Sequence, residues 1–166
     1  TATETTIPTV YNGIPVTEIS SSCFSGNTTL TKVNIPANIV AIGSSAFLNC
    51  TALQSIYLPA TIKTVGSTTF ARCTALTKAI IDCDASAMTS AFNGCSSLKV
   101  LKLSGRTVKI PNSFCNGCTS LQEIEIPEGV EELGMMVFNG CTNLTKIKLP
   151  STITTLALGK INSSTG

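Results

Sequence analysis

The chain has 166 residues, the size of one domain with a real core, and it is 43% hydrophobic but only 5% aromatic, with neither tryptophan nor histidine. The lack of histidine removes the commonest general base and the commonest metal ligand together. Charged residues are 12%, about half the usual share, and the net charge of +2 comes from scattered basic residues, which excludes a block that tracks a phosphate backbone. Threonine, serine and asparagine keep the surface polar instead, a composition suited to an extracellular or cell-surface protein. No apolar run approaches the roughly 18 to 20 residues that cross a bilayer. The opening TATETTIPTV has no charged segment followed by an apolar one, so no signal peptide is expected within it.

Taken in chain order, one pattern returns six times: LTKVNIP (30–36), LQSIYLP (53–59), LTKAIID (76–82), LKVLKLS (98–104), LQEIEIP (121–127) and LTKIKLP (144–150). The leading leucines, Leu30, Leu53, Leu76, Leu98, Leu121 and Leu144, are spaced by 23, 23, 22, 23 and 23 residues. Six residues before each stands Phe24, Phe47, Phe70, Phe92, Cys115 or Phe138; three before stands Asn27, Cys50, Cys73, Cys95, Cys118 or Cys141. So many columns holding one phase predict a solenoid, and a period near 23 with L-x-x-I-x-I falls in the leucine-rich-repeat range. Within LTKVNIP, inward Val33 and Ile35 alternate with outward Lys32 and Asn34, as a strand requires. Pro36, Pro59, Pro127 and Pro150 end four of the strands, because proline cannot donate the next ladder bond. A second apolar pair closes the coils: Ile39 with Ile42, Ile62 with Val65, Val130 with Leu133, Ile153 with Leu156.

IPANIVAIGSSAFLNCTALQSIYLP (35–59) and IPEGVEELGMMVFNGCTNLTKIKLP (126–150) resemble the BspA-like leucine-rich repeat proteins, and the likeness covers nearly the whole chain. The resemblance implies that IPTVYNGIPVTEI (7–19) is a hairpin-like cap. It also implies a secreted or surface-displayed protein tied to adhesion and protein binding, with no catalytic residues to carry over. The chain departs from the pattern in four places. Asn27 replaces the first cysteine, the third repeat is one residue short at IIDCDASAM (80–88), Phe114 and Cys115 exchange order in SFCNGC (113–118), and the last copy thins out at LALGKINSSTG (156–166), with Ile161 in the phenylalanine column.

Eight cysteines invite a disulfide or zinc reading. Five form one column, where asparagine also occurs, and a free thiol there packs as a small hydrophobe with a weak donor. Parallel Cβ vectors in such a ladder suit a disulfide torsion poorly. Cys115 and Cys118 make C-N-G-C, but a zinc site needs a second ligand pair, and a thioredoxin-like site needs a βαβ unit with a helix N-terminus. Cys83, between Asp82 and Asp84, is expected to be the most exposed thiol, with Arg106 as an ion-pair partner for the aspartates. Glu128, Glu131 and Glu132 lack the ligand spacing of a calcium loop. Asn27, Asn49, Asn143 and Asn162 head glycosylation-type tripeptides, which matter only in a secreted eukaryotic chain.

The expected fold is an α/β repeat solenoid of leucine-rich-repeat type, mostly β and loop. It is a right-handed coil with a parallel sheet on one face, short strands, and turns or 3₁₀ segments on the other. Residues 1–18 form the cap, and 19–166 form about six repeats of 22–23 residues, the last incomplete. Phe24, Phe47, Phe70, Phe92 and Phe138, with Cys50, Cys73, Cys95, Cys118 and Cys141, make the core; no catalytic or metal residue and no cofactor is assigned. The outward columns, Lys32, Asn34, Tyr57, Lys78, Ile80, Lys102, Glu123, Glu125, Lys146 and Lys148, are the candidate ligand-binding face. The expected function is a non-catalytic surface or secreted recognition module. Its partner would be a protein (host or extracellular-matrix) or a glycan, with no nucleic acid and no membrane-spanning segment. The alternative is a structural spacer that binds nothing itself.

Overall fold

The structure, a computed structural model, describes residues 3–157. Among the described residues, thirteen of fifteen short strands wind into a parallel solenoid. The front sheet contains β1 (Glu4–Thr6), β5 (Lys32–Asn34), β7 (Ser55–Leu58), β9 (Lys78–Ile81) and β10 (Val100–Leu103), paired in that order, each parallel to the next. Two further front strands, β12 (Glu123–Glu125) and β14 (Lys146–Lys148), pair only with each other. The back carries β4 (Glu18–Ile19), β6 (Ala41–Ile42) and β8 (Thr64–Val65) in one sheet. A second back sheet holds β11 (Lys109–Ile110), β13 (Glu132–Leu133) and β15 (Thr155–Leu156). A short hairpin, β2 (Val10–Tyr11) with β3 (Ile14–Pro15), precedes the first coil.

The back sheet lapses at the repeat that is one residue short. There Cys83, Ala85 and Met88 turn inward and are fully buried, and Ala85 N–H donates to the buried Thr107 hydroxyl at 3.2 Å. Cys83 is therefore not the exposed thiol its acidic neighbours suggested; the inward-outward alternation of β9 runs on past the strand, so Cys83 faces in while Asp84 faces water. The exposed thiol is Cys23.

The third side is a wall of turns, and here the 3₁₀ expectation and the α part of the class are corrected: among the described residues there is no helix. The cause is backbone conformation. Each coil puts two residues in the left-handed region, Ser45 and Asn49 in one and Thr68 and Arg72 in the next, with φ between 52° and 59°. These residues break any helical run and aim alternate N–H groups at the neighbouring coil. The N–H groups of Ser45, Phe47 and Asn49 donate to the carbonyls of Ser67, Thr69 and Ala71, each at 2.9 Å. The same lateral ladder continues from Phe24 to Val137.

Behind it the phenylalanines stack. Phe24, Phe47, Phe70 and Phe92 lie 5.1 to 5.6 Å apart with planes within 11°. Phe114 then meets Phe92 edge-on, at 5.3 Å and 85°, because it sits one residue earlier than the column requires. Phe47, Phe70 and Phe92 are completely buried, whereas Phe24, Phe138 and Cys141 are only partly covered; they lie toward the ends, where fewer coils pack over them. Residues 158–166, and with them Ile161 and Asn162, lie outside the described residues.

Candidate recognition face

The ladder cysteines act as structural donors. The thiols of Cys50, Cys73, Cys95, Cys118 and Cys141 each donate to the carbonyl of the preceding coil's phenylalanine-column residue, Phe24, Phe47, Phe70, Phe92 and Cys115, at 3.1 to 3.3 Å. Asn27 heads the column, with no earlier rung to reach, and instead accepts from the N–H groups of Thr29 and Leu30. All eight cysteines are free thiols. Burial pushes the Cys50 thiol up to about 11 and those of Cys73 and Cys141 to about 12. Cys115 is driven well above the usual thiol range, first by complete burial and then by its contact with Cys118. Cys83 rises to about 11, again mainly through burial. A buried, protonated thiol is a poor nucleophile and a poor ligand, so C-N-G-C is part of the wall. Among the described residues, no three Cys, Asp or Glu side chains converge as a metal site would require.

With those groups committed to the interior, the front face holds what remains exposed. Tyr57 lies directly beside Ile80, and Ile80 beside Lys102; in the neighbouring column Ser55, Lys78 and Val100 follow one another. Tyr57 is 50% exposed, Val100 40%, and Ile80 is half-buried between strands. The Tyr57 hydroxyl donates to the Asp82 carboxylate at 2.8 Å, and that bond raises the phenol's pKa. Asp82 is thus held by Tyr57, and the expected pairing with Arg106 is not formed. Asp84 accepts instead from the N–H and hydroxyl of Ser86.

Acid–base pairs cover the outer strands. Lys32 meets Glu4 at 3.9 Å and Lys146 meets Glu123 at 3.8 Å; Lys148 bonds Glu125, lowering that carboxyl and raising its own pKa. Lys102, in the same outward column as Glu125, forms no such pair with it; β10 and β12 belong to different sheets. Elsewhere on the front, Gln54 N–H donates to Thr31, Thr77 to Gln54, Lys99 to Thr77 and Thr145 to Gln122. Among the described residues the corresponding bond from Gln122 to Lys99 is absent. An open depression of about 630 Å³ lies over this seam, with Lys99, Val100, Lys102, Glu123 and Glu125 on its sides. Nothing in the leucine columns marks the seam, and only Val100, an apolar residue in an outward column, hints that this stretch differs.

The pattern of a BspA type leucine rich repeat region matches residues 17–118 and 85–163, in six copies. The chain belongs to the BspA-type leucine-rich repeat family. A leucine-rich repeat protein of T. pallidum is 26% identical over 93% of this chain and 73% of its own, with a TM-score of 0.80. One from Bacteroides ovatus is 25% identical, covering 93% of this chain and 44% of its own, with a TM-score of 0.72. A leucine-rich cell surface protein of Faecalibacterium prausnitzii is 26% identical, covering 89% and 48%, with a TM-score of 0.61. This BspA-type chain thus spans less than half the length of two of the three. No curated protein matches the sequence. Among the described residues no helix is long and apolar enough to cross a membrane.

Proposed function

We propose that this BspA-type chain is a non-catalytic recognition module, secreted or held at a cell surface, that binds a protein or a glycan through its front face. One observation carries the reading: Tyr57 and Ile80 stand side by side, with Val100 diagonally adjacent to Ile80, on an ordered parallel sheet outside a wall that has absorbed the phenylalanines and ladder thiols. An aromatic with aliphatic neighbours, held on a rigid support, is the kind of anchor at which binding energy concentrates. The description of one relative as a cell surface protein supports the location.

The spacer reading draws on the cross-strand pairs of Lys32, Lys146 and Lys148, which neutralise the outer strands as a merely solvated face would. The chain, applied to arrays of extracellular proteins and glycans, separates the two. For a ligand bound there, replacing Tyr57 and Ile80 by serine should weaken binding about tenfold or more with an unchanged melting temperature. Undiminished binding would remove the front face from consideration, and silence on both arrays would favour the spacer.

A further inference from the structure

We propose that the β9–β10 part of the front face binds an extended acidic segment of a partner protein, with two carboxylates at positions i and i+2 seated on Lys78 and Lys102. The proposal rests on the front face being the recognition surface and names what that surface accepts.

The register builds the site. Lys78 pairs with Val100 and Ile80 with Lys102, so four outward side chains occupy the corners of a rectangle. The lysines take one diagonal and the two aliphatics the other. With strands ~4.8 Å apart and two residues rising ~6.6 Å, diagonal neighbours lie about 8 Å apart, a span the flexible lysine side chains can close. Alternate side chains of an extended segment repeat every ~6.6 to 6.8 Å. A segment laid along the lysine diagonal therefore brings a carboxylate to each ammonium while its backbone and intervening carbon atoms rest on Ile80 and Val100.

Charge sets the sign of the occupant. Lys32, Lys109, Lys146 and Lys148 all have carboxylate partners, whereas among the described residues Lys78, Lys99 and Lys102 have none. For Lys102 the reason lies in the seam. In an unbroken sheet Glu125 would stand next to Lys102, but it lies across the gap and is held by Lys148. Lys78 stands between the uncharged Ser55 and Val100, so three cations without carboxylate partners lie beside the apolar patch, while Glu123 and Glu125 on the sides of the depression keep an acidic segment on β9 and β10. Three lysines over two strands are too few to track a phosphate backbone, but they match the carboxylates of one short acidic stretch.

Fluorescein-labelled peptides of about eight residues, titrated into the full chain and read by anisotropy, test this. One peptide alternates Glu and Val, a second alternates Lys and Val, and a third groups the same Glu and Val residues in blocks of two (Glu-Glu-Val-Val, repeated), so that no two Glu stand at i and i+2; a sulfated heparin oligosaccharide is the fourth probe. The alternating acidic peptide should bind best and weaken as salt is raised. It should lose about tenfold or more in affinity when Lys78→Glu and Lys102→Glu are combined. Both positions are on the strand face, so the variant should melt with the parent; Lys78→Gln with Lys102→Gln should give an intermediate loss.

Equal binding of the block peptide, an acidic peptide indifferent to the charge reversal, or tighter and reversal-sensitive binding of heparin would each overturn the proposal. If the lysine peptide alone binds, and loses affinity in the Tyr57→Ser, Ile80→Ser variant, the acidic partner is wrong while the front-face reading stands. If no probe binds and array ligands ignore both variant pairs, the two fall together.

Discussion

On the turn side of the solenoid each coil is tied to the next by three devices: lateral main-chain bonds, thiol-to-carbonyl bonds, and rings packed behind them. The front face has the main-chain ladder and its cross-strand side-chain pairs. The wall runs unbroken from Phe24 to Val137, even through the short third repeat and the exchanged Phe114 and Cys115. The front sheet, made of strands of three or four residues, stops at β10 and resumes at β12. The difference teaches where this architecture stores continuity. A wall with redundant links absorbs a local irregularity, whereas a single ladder opens at one, and the opening exposes charge that pairing would have neutralised.

The contrast is sharpest in stability. Phe70→Ala should cost about 3 to 5 kcal/mol, since its ring is fully buried between two stacked neighbours. Tyr57→Ser, on the face, should stay within about 0.5 kcal/mol in the same urea titration. Comparable losses at the two positions would erase the distinction between wall and face.

Alkali should attack the wall next. The ladder thiols of Cys50, Cys73 and Cys141 have folded pKa values raised to about 11 or 12, above the ordinary 9.0. Their contribution to stability is therefore complete below pH 9 and is lost as pH rises through the folded values. The melting temperature should fall over that interval, and Cys73→Ala should flatten the fall while lowering stability at neutral pH. A pH profile unchanged by Cys73→Ala would show that ionisation of this thiol does not link to unfolding.

A smaller effect has the opposite sign. Met136 holds φ at 56° while 52% exposed, so little packing compensates its left-handed backbone. Met136→Gly should raise stability by up to about 1 kcal/mol. Alkylation of the native protein, which should leave stability untouched, should modify Cys23 alone of the eight cysteines, as mass spectrometry can count. Rapid modification of Cys95 or Cys118 would mean that the wall opens.

The sequence by itself determined the repeat, the inward residues of the front strands from β5 to β12 and the family, because stacking identical coils forces equivalent positions into columns that a reader can align. It also determined that Phe47, Phe70 and Phe92 would share an interior with Cys50, Cys73 and Cys95, since only close-packed apolar side chains fit a column repeated every 22 or 23 residues. Only the tertiary structure decided that the turns form a lateral ladder instead of 3₁₀ helix, that Cys83 faces inward while Cys23 is exposed, and that Asp82 holds Tyr57. It alone placed the seam between Lys99 and Gln122. Each of these depends on the direction of an individual N–H or side chain relative to the adjacent coil, and a column of letters records which residues are neighbours without recording how closely two neighbours meet.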